Sequence, residues 1–288
     1  AFTGSLVYGV SHSLWLGIVA AIIHNVYSLW IADRTAPRVQ QFFGIPGISI
    51  PQGWAVTSVP VVLGLDWLFD RIPGLRSLNA DAETIQRRLG LIGDPLILGA
   101  ILGLLMGFGA GYDVTQTLQL AVNLGAVMFL VPRIIAIFME GLTDVSEAAR
   151  EYLSKRFEGR EFYIGLDSAV MIGHPITIAA GILLIPTVLL LAAILPGNRT
   201  LPFGDLAATS FFVAFATPLM RGNLVRVFLA GTVMMVIILY IDSSFAPLLT
   251  QTARDIGYQI PENAAMITSL SGGNWVAWVL VQIARIFG

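Results

Sequence analysis

The chain has 288 residues, of which 56% are hydrophobic and only 12% are charged, against roughly 25% charged residues in an ordinary soluble domain. The formal net charge is -2, and the basic residues are scattered in ones and twos, so no basic stripe suited to nucleic acid exists and nucleic acid is excluded as a partner. The absence of cysteine excludes disulfides, thiolate metal sites and a phosphocysteine on this chain.

The apolar residues are grouped into about seven regions that approach the roughly 20 residues needed to span a bilayer. Together they predict an all-α polytopic membrane protein with one transport domain over residues 1–288. The first region lacks a basic flank and a cleavage site, so we expect no signal peptide. Since Ala1 is not an initiator methionine, we expect that an N-terminal stretch is missing from this sequence. In chain order the regions are Leu6–Ile31, Pro95–Ala110, Leu118–Met139, His174–Leu195, Leu206–Met220, Val225–Ile241 and Trp275–Phe287.

Two regions, Gly44–Pro60 and Phe162–Pro175, contain glycine, proline and polar residues within otherwise apolar sequence. Interrupted segments of this kind in transporters often form re-entrant hairpins that meet near the bilayer midplane. We therefore predict hairpins over residues 44–69 and 161–175. Their sequences WAVTSVP and SAVMIGHP share an Ala-Val pair and a closing proline, at a spacing of about 115 residues, which indicates an internal repeat.

A polar helix is predicted after each of three spans, at Asp33–Phe43, Asp144–Phe157 and Leu248–Ile256. In residues 142–157 apolar side chains recur at helical spacing while charged side chains occupy the other faces. This pattern predicts an amphipathic helix that lies along the membrane interface. The basic residues of this stretch place it on the cytoplasmic side.

An ionisable group at membrane depth calls for a partner, a water-filled cavity or a function. Carboxylates accept hydrogen bonds from hydroxyls, and imidazole and amide groups donate or accept them, so Asp167, His174 and Gln52 with Gly53 form a candidate polyol-binding set. The alternative is structural: Asp167 caps the following helix, and His174 bonds a backbone carbonyl freed by Pro175.

Two further candidates also have structural explanations. Asp94 precedes Pro95 and can serve as a helix cap, and Asn274 follows a Ser-Gly-Gly turn that either binds substrate or is an ordinary turn. His24 and Asn25 interrupt the first span, where an interhelical hydrogen bond is the commoner reason for a polar residue. Asp242 ends an apolar run, which favours an exposed interfacial position.

No HExxH, GxSxG, GxxxxGK[ST] or zinc-ligand spacing is present, so the sequence predicts no catalytic residue, no metal site and no cofactor. The glycines of GAILGLLMGFGAG lie within a span and favour close packing of helices.

Several motifs, many of them in loops, resemble one family: IPQG, the GDP that precedes the glycine-rich run, AGYDVTQTLQLAV, EFYIGLDSAVMIGHP, LPGNRTLPFGDLA and MRGNL. The chain resembles the galactitol-specific membrane subunit, enzyme IIC, of the phosphoenolpyruvate-dependent sugar phosphotransferase system. The position of Gln52 is typically His in galactitol subunits and that of Asp94 is typically Glu, so the resemblance leaves the polyol open.

Because members of the family are longer at the N-terminus, the resemblance implies that the first few spanning helices are missing from this chain. It also implies a fold related to the ascorbate-specific permeases. That fold is a homodimer in the bacterial inner membrane, with a dimerising scaffold and an elevator-type mobile core that carries the two hairpins. It also implies that a separate enzyme IIB subunit with a phosphocysteine phosphorylates the substrate, so that no coupling ion is needed.

Three other readings remain open. In a proton-coupled secondary transporter of a polyol or sugar, Asp167 and His174 would form a proton relay. An intramembrane enzyme would use the same two side chains as a base or metal ligands. A purely structural membrane scaffold would not need two interrupted, polar segments.

Overall fold

The structure is a computed structural model that describes residues 2–77, 94–156, 162–202, 205–260 and 266–286. The described residues are helical apart from turns and one short pair of strands. Four helices contain stretches long and apolar enough to cross a membrane: Leu14–Phe43, Val114–Val131, Pro175–Ile194 and Leu224–Asp255. The prediction of a mostly helical polytopic membrane protein is therefore confirmed.

The N-terminal half consists of helices α1 (Phe2–Ser11), α2 (Leu14–Phe43), α3 (Gly53–Val56), α4 (Val59–Phe69) and α5 (Pro73–Ser77), with strand β1 (Ile48–Ser49) between α2 and α3. Helices α6 (Pro95–Gly109) and α7 (Val114–Arg156) follow. The second half contains strand β2 (Ile164–Gly165) and helices α8 (Ala169–Ile172), α9 (Pro175–Ile194), α10 (Thr209–Val213), α11 (Ala216–Leu219), α12 (Leu224–Asp255) and α13 (Trp275–Ala284). Single 3₁₀ turns form at Leu206–Ala208 and Leu270–Gly272.

The prediction of one continuous span over Leu6–Ile31 is wrong. His12 adopts a left-handed backbone conformation with φ of 50°, and the Ser13 side chain then caps the next helix by accepting from the amide of Leu16 at 3.4 Å. The chain therefore turns back, and α1 packs antiparallel on α2.

The region Leu206–Met220 is also not one span, because it breaks into a 3₁₀ turn and the short helices α10 and α11. The three predicted polar helices are not separate either. Helices α2 and α12 continue through the first and third of them, and α7 runs unbroken to Arg156. The interfacial position of residues 142–157 stays a prediction. Residues 157, 161 and 287, which end or begin the predicted segments 142–157, 161–175 and 275–287, lie outside the described residues.

The two interrupted regions have the same order of elements: a two-residue strand, a one-turn helix and a longer helix. Strands β1 and β2 pair in parallel, with Ile48 opposite Ile164 and Ser49 opposite Gly165. The amide of Ile164 donates to the carbonyl of Gly47, and that of Leu166 donates to the carbonyl of Ser49, both at 2.8 Å. The two regions thus meet at their first elements, where Ile48 and Ser49 are buried, Ile164 is half-buried and Gly165 is exposed.

Helix α2 is attached to the other side of β1 through Gln40. Its side-chain amide donates to the carbonyl of Ile48 at 2.7 Å and its oxygen accepts from the amide of Gly47 at 3.1 Å. A glutamine amide carries the same donor and acceptor groups as a peptide, so it can satisfy the edge of the strand. The strand pair therefore forms one unit with the end of α2.

Close packing of α6 on α7 depends on glycine. A Cβ at Gly99 would lie 2.6 Å from the carbonyl oxygen of Leu124, and a Cβ at Gly103 would overlap the backbone of Ala121. The prediction that these glycines serve helix packing is confirmed.

Helix α12 carries two polar attachments. Near its start, buried Arg226 pairs with Asp66 at 2.9 Å and with Asp70 at 2.8 Å, and it donates to the carbonyl of Leu75. This connects α12 to α4 and α5.

The second attachment corrects the expectation that Asp242 is exposed at an interface, because its exposed fraction is 0%. Its carboxylate accepts from the hydroxyl of Thr200 at 2.5 Å and from the amide of Ser269 at 3.1 and 3.2 Å. Asp205 accepts from the Ser269 hydroxyl at 2.9 Å and from the amide of Leu270 at 2.8 Å. Asp242 therefore attaches the segments that contain Thr200 and Ser269 to the middle of α12, and Asp205 joins those two segments to each other.

Candidate functional site

A polar cavity of about 220 Å³ lies between α1, α2, α3 and the start of α13. We call it the α2–α3 cavity. Three of the predicted site residues line it, together with residues from the first two helices. Its lining residues are Phe2, Thr3, Ala21, His24, Asn25, Ser28, Gln52, Gly53, Trp54 and Asn274.

Helix α2 contributes His24, Asn25 and Ser28. Nδ1 of His24 lies 2.6 Å from Oγ1 of Thr3 on α1, so the predicted interhelical hydrogen bond is confirmed for His24. For Asn25 it is wrong, because its side-chain amide donates to the carbonyl of Ala21 in its own helix at 2.8 Å. Nε2 of His24 and Oδ1 of Asn25 have no hydrogen-bond partner among the described residues.

Helix α3 contributes Gln52 and Gly53. Oε1 of Gln52 caps the helix by accepting from the amide of Ala55 at 2.7 Å, which leaves its amide nitrogen without a partner in the described part of the chain. A Cβ at Gly53 would lie 3.5 Å from Nε2 of His24 and 3.7 Å from Oγ of Ser28. The absence of a side chain at Gly53 therefore keeps open the space in front of His24.

Asn274 forms the wall between α3 and α13. Its Oδ1 accepts from the amides of Val276 and Ala277, and its Nδ2 donates to Oγ1 of Thr57 at 3.0 Å and to the carbonyl of Gly53 at 3.3 Å. All of its ordinary hydrogen-bonding capacity is used within the protein. Asn274 positions Gly53 and leaves no group free for a ligand.

The other three predicted residues lie outside this cavity. Asp167 is exposed and accepts from the amide of Ala169 at 2.8 Å, and Asp94 caps α6 through the amide of Leu96 at 2.9 Å. Nδ1 of His174 accepts from the amide of Ile176 at 3.2 Å. The structural alternative thus accounts for Asp167, which caps the following helix. It also accounts for His174, although the imidazole accepts from a backbone amide and does not bond the expected carbonyl. The part of both residues in substrate binding stays a prediction.

The structure therefore does not gather Asp167, His174 and Gln52 around one cavity. Sequence reasoning missed Thr3 and Ser28, which are single hydroxyls in apolar helices and give no pattern. His24 and Asn25 did give a signal, since two adjacent polar residues within a span are costly in lipid.

The arrangement offers donors and acceptors without an ionised group. The Gln52 amide donates, Oδ1 of Asn25 accepts, and Nε2 of His24 donates in the tautomer whose Nδ1 accepts from Thr3. Among the described residues, no group of His, Cys, Asp and Glu could hold a metal ion. A neutral ligand with several hydroxyls matches this set.

The family model of the PTS system sugar-specific permease component, EIIC-GAT, matches residues 1–263. The chain belongs to this family. This EIIC-GAT chain is 44% identical over 286 residues to a putative permease IIC component of Escherichia coli (strain K12), covering 99% of this chain and 65% of the relative. It is 39% identical over 283 residues to the PTS system galactitol-specific EIIC component of the same strain, covering 98% of this chain and 62% of the relative. No solved structure matches it.

The EIIC-GAT chain thus spans less than two thirds of the length of both relatives. Both E. coli proteins nevertheless cover nearly all of it, so the α2–α3 cavity lies within the shared part. With its apolar helices, family membership makes the chain a multi-pass membrane protein.

Proposed function

We propose that the chain is the translocating part of a sugar-alcohol permease. It carries a galactitol-like polyol across the bacterial inner membrane, where a separate enzyme IIB subunit phosphorylates it. The observation that carries this proposal is the α2–α3 cavity, with unpaired polar atoms facing a space inside apolar helices. The similarity to a galactitol-specific EIIC component supports the choice of substrate class.

The cavity suits a polyol in size and in chemistry. Its volume of about 220 Å³ is below the roughly 300–1,000 Å³ of pockets for drug-sized ligands. Each hydroxyl of a polyol both donates and accepts, so one molecule can satisfy Gln52, Asn25 and His24 together. His24 and Gln52 are half-buried and Asn25 is exposed, so a polyol in the cavity can reach all three side chains.

The 288 residues contain no cysteine, which supports a phosphocysteine on a separate subunit. Phosphorylation places a negative charge on the product, which then cannot return through an apolar barrier. Net uptake follows without an ion gradient.

The transport movement is proposed to be of the elevator type. The recurring order of strand, one-turn helix and longer helix supports an internal repeat with two re-entrant hairpins. The glycine-packed pair α6 and α7 is the proposed dimerising scaffold of a homodimer, and the paired hairpin regions belong to the mobile core.

The test is uptake of radiolabelled galactitol in cells that also carry the cognate enzyme IIB, with phosphorylated product measured inside. Gln52→Glu keeps the oxygen that caps α3 and removes the free amide donor, so it is expected to lower uptake strongly at unchanged membrane expression. Asp167→Asn is the comparison for the second hairpin region, because Asp167 lies outside the cavity and asparagine keeps an oxygen that can cap the following helix.

Two results would reject the proposal. Accumulation of unmodified galactitol that collapses with the proton gradient would make the protein a proton-coupled transporter. Loss of uptake in Asp167→Asn but not in Gln52→Glu would move the binding site to the second hairpin region.

A further inference from the structure

A second cavity, of about 550 Å³, lies between the end of α2, α4 and the turn before α12. We call it the arginine cavity. Its lining residues are Arg38, Gln41, Phe42, Asp66, Pro218, Leu219 and Arg221. None of them lines the α2–α3 cavity.

The backbone at Arg221 is strained. Its φ is 56°, a left-handed conformation that residues with a Cβ other than Asn and Asp rarely adopt. The turn is fixed by two backbone hydrogen bonds. The amide of Gly222 donates to the carbonyl of Thr217 at 2.8 Å, and the amide of Arg221 donates to the carbonyl of Pro218 at 3.3 Å. Glycine or asparagine would build this turn at lower cost, so the turn itself does not explain an arginine.

The charges around the cavity do not cancel. Its one lining carboxylate, Asp66, is already paired with Arg226 at 2.9 Å, and Arg226 also pairs with Asp70 behind it. Arg38 and Arg221 have no ion pair within the described ranges. The cavity therefore presents two unneutralised guanidinium groups, which bind phosphate oxygens through paired, charge-assisted hydrogen bonds.

The two cavities lie along the same helix. Ser28 lines the first and Arg38 the second, a separation of about 15 Å at 1.5 Å per helical residue. The strand pair places the end of α2 near β2, which comes after α7 in the chain. Both helix ends carry basic residues, Arg34 and Arg38 on α2 and Lys155 and Arg156 on α7. The positive-inside rule therefore favours the cytoplasmic side for these ends.

We propose that the arginine cavity binds a phosphoryl group at the cytoplasmic face, with Arg38 and Arg221 as its ligands. The proposal rests on the proposed function, in which the polyol is phosphorylated on this side. The phosphoryl group has two possible carriers, the sugar-alcohol phosphate product and the phosphocysteine of enzyme IIB.

The test measures binding to the purified protein in lipid nanodiscs. Three probes are titrated separately: galactitol, galactitol 1-phosphate and phosphorylated enzyme IIB, the last beside its unphosphorylated form. The variants are Arg38→Gln and Arg221→Asn. Asparagine tolerates the left-handed conformation, so the second variant keeps the turn. Arg254→Gln, an exposed arginine at the end of α12, is the control.

Each cavity variant is expected to weaken binding of a phosphorylated probe about tenfold or more, with galactitol binding unchanged and with Arg254→Gln like the wild type. If the cavity variants weaken binding of galactitol 1-phosphate, the product carries the phosphoryl group. If they weaken binding of phosphorylated enzyme IIB alone, the phosphocysteine carries it. Both results support the site.

Unchanged binding of both phosphorylated probes in both variants would overturn the inference and make the arginines ordinary interfacial charges. That failure differs from failure of the proposed function, in which the wild type would not bind galactitol at all.

Discussion

Replacing Gly53 with alanine should weaken polyol binding without unfolding the protein. The added methyl group would lie 3.5 Å from Nε2 of His24 and 3.7 Å from Oγ of Ser28, which is ordinary van der Waals contact. The protein can therefore accept it without strain. A ligand hydroxyl must approach Nε2 to roughly 2.9 Å, and the methyl group would occupy that position.

The expected magnitude follows from the lost hydrogen bond. Leaving a buried donor without its partner costs about 1–3 kcal/mol, and every 1.4 kcal/mol is tenfold in affinity. Gly53→Ala should thus raise the dissociation constant for galactitol roughly 5- to 150-fold. Stability should stay the same or rise by up to about 1 kcal/mol, because alanine restricts the unfolded chain more than glycine does.

The assay is equilibrium binding of radiolabelled galactitol to the protein in nanodiscs, together with its thermal unfolding temperature. Gly64→Ala is the matched control, since a Cβ at Gly64 on α4 has no atom within 4 Å, and it should bind like the wild type. An unchanged dissociation constant for Gly53→Ala at an unchanged unfolding temperature would refute the assignment of the α2–α3 cavity as the binding site.

Three further substitutions test the packing and the polar attachments through thermal unfolding. Gly103→Ala places a methyl group against the backbone of α7 and should destabilise the protein by about 1–3 kcal/mol. Gly109→Ala is the control, because a Cβ at Gly109 meets open space and should not destabilise it. Equal unfolding temperatures of the two variants would contradict the glycine packing. Arg226→Gln leaves Asp66 and Asp70 without their cation and should lower the free energy of unfolding by roughly 1–3 kcal/mol, less than the loss of a fully buried ion pair. Arg254→Gln, at an exposed arginine, should not change it. Asp242→Asn places an amide donor where the carboxylate accepts from Thr200 and Ser269, and it should cost about 1–3 kcal/mol of stability. An unchanged unfolding temperature would show that the carboxylate does not hold the segments that contain Thr200 and Ser269.

The membrane class and the breaks in the two interrupted regions could be predicted because their signals are local. Apolar length marks the spans, and prolines and glycines mark the start of each interrupted region. The turn after α1 contains neither glycine nor proline. Its signal is weaker, a run of three polar residues, Ser11, His12 and Ser13, inside an apolar region. The sequence therefore predicted one helix where two pack against each other.

The α2–α3 cavity could not be predicted as a whole for the same reason. It forms only because the turn at His12 brings Thr3 beside His24, which are distant in one continuous helix. Asp242 shows a similar limit. Its partners lie in two connecting segments far along the chain, so no local pattern separates a buried, fully bonded carboxylate from an exposed one.

The short strand pair has a mechanical consequence for the proposed transport movement. Two backbone hydrogen bonds of 2.8 Å, reinforced by the Gln40 amide on the far edge, join regions that are separated by the whole of α6 and α7 in the sequence. Backbone groups of this kind keep their partners whatever the side chains are. We therefore expect the two interrupted regions to move together, with the end of α2, in the proposed transport movement.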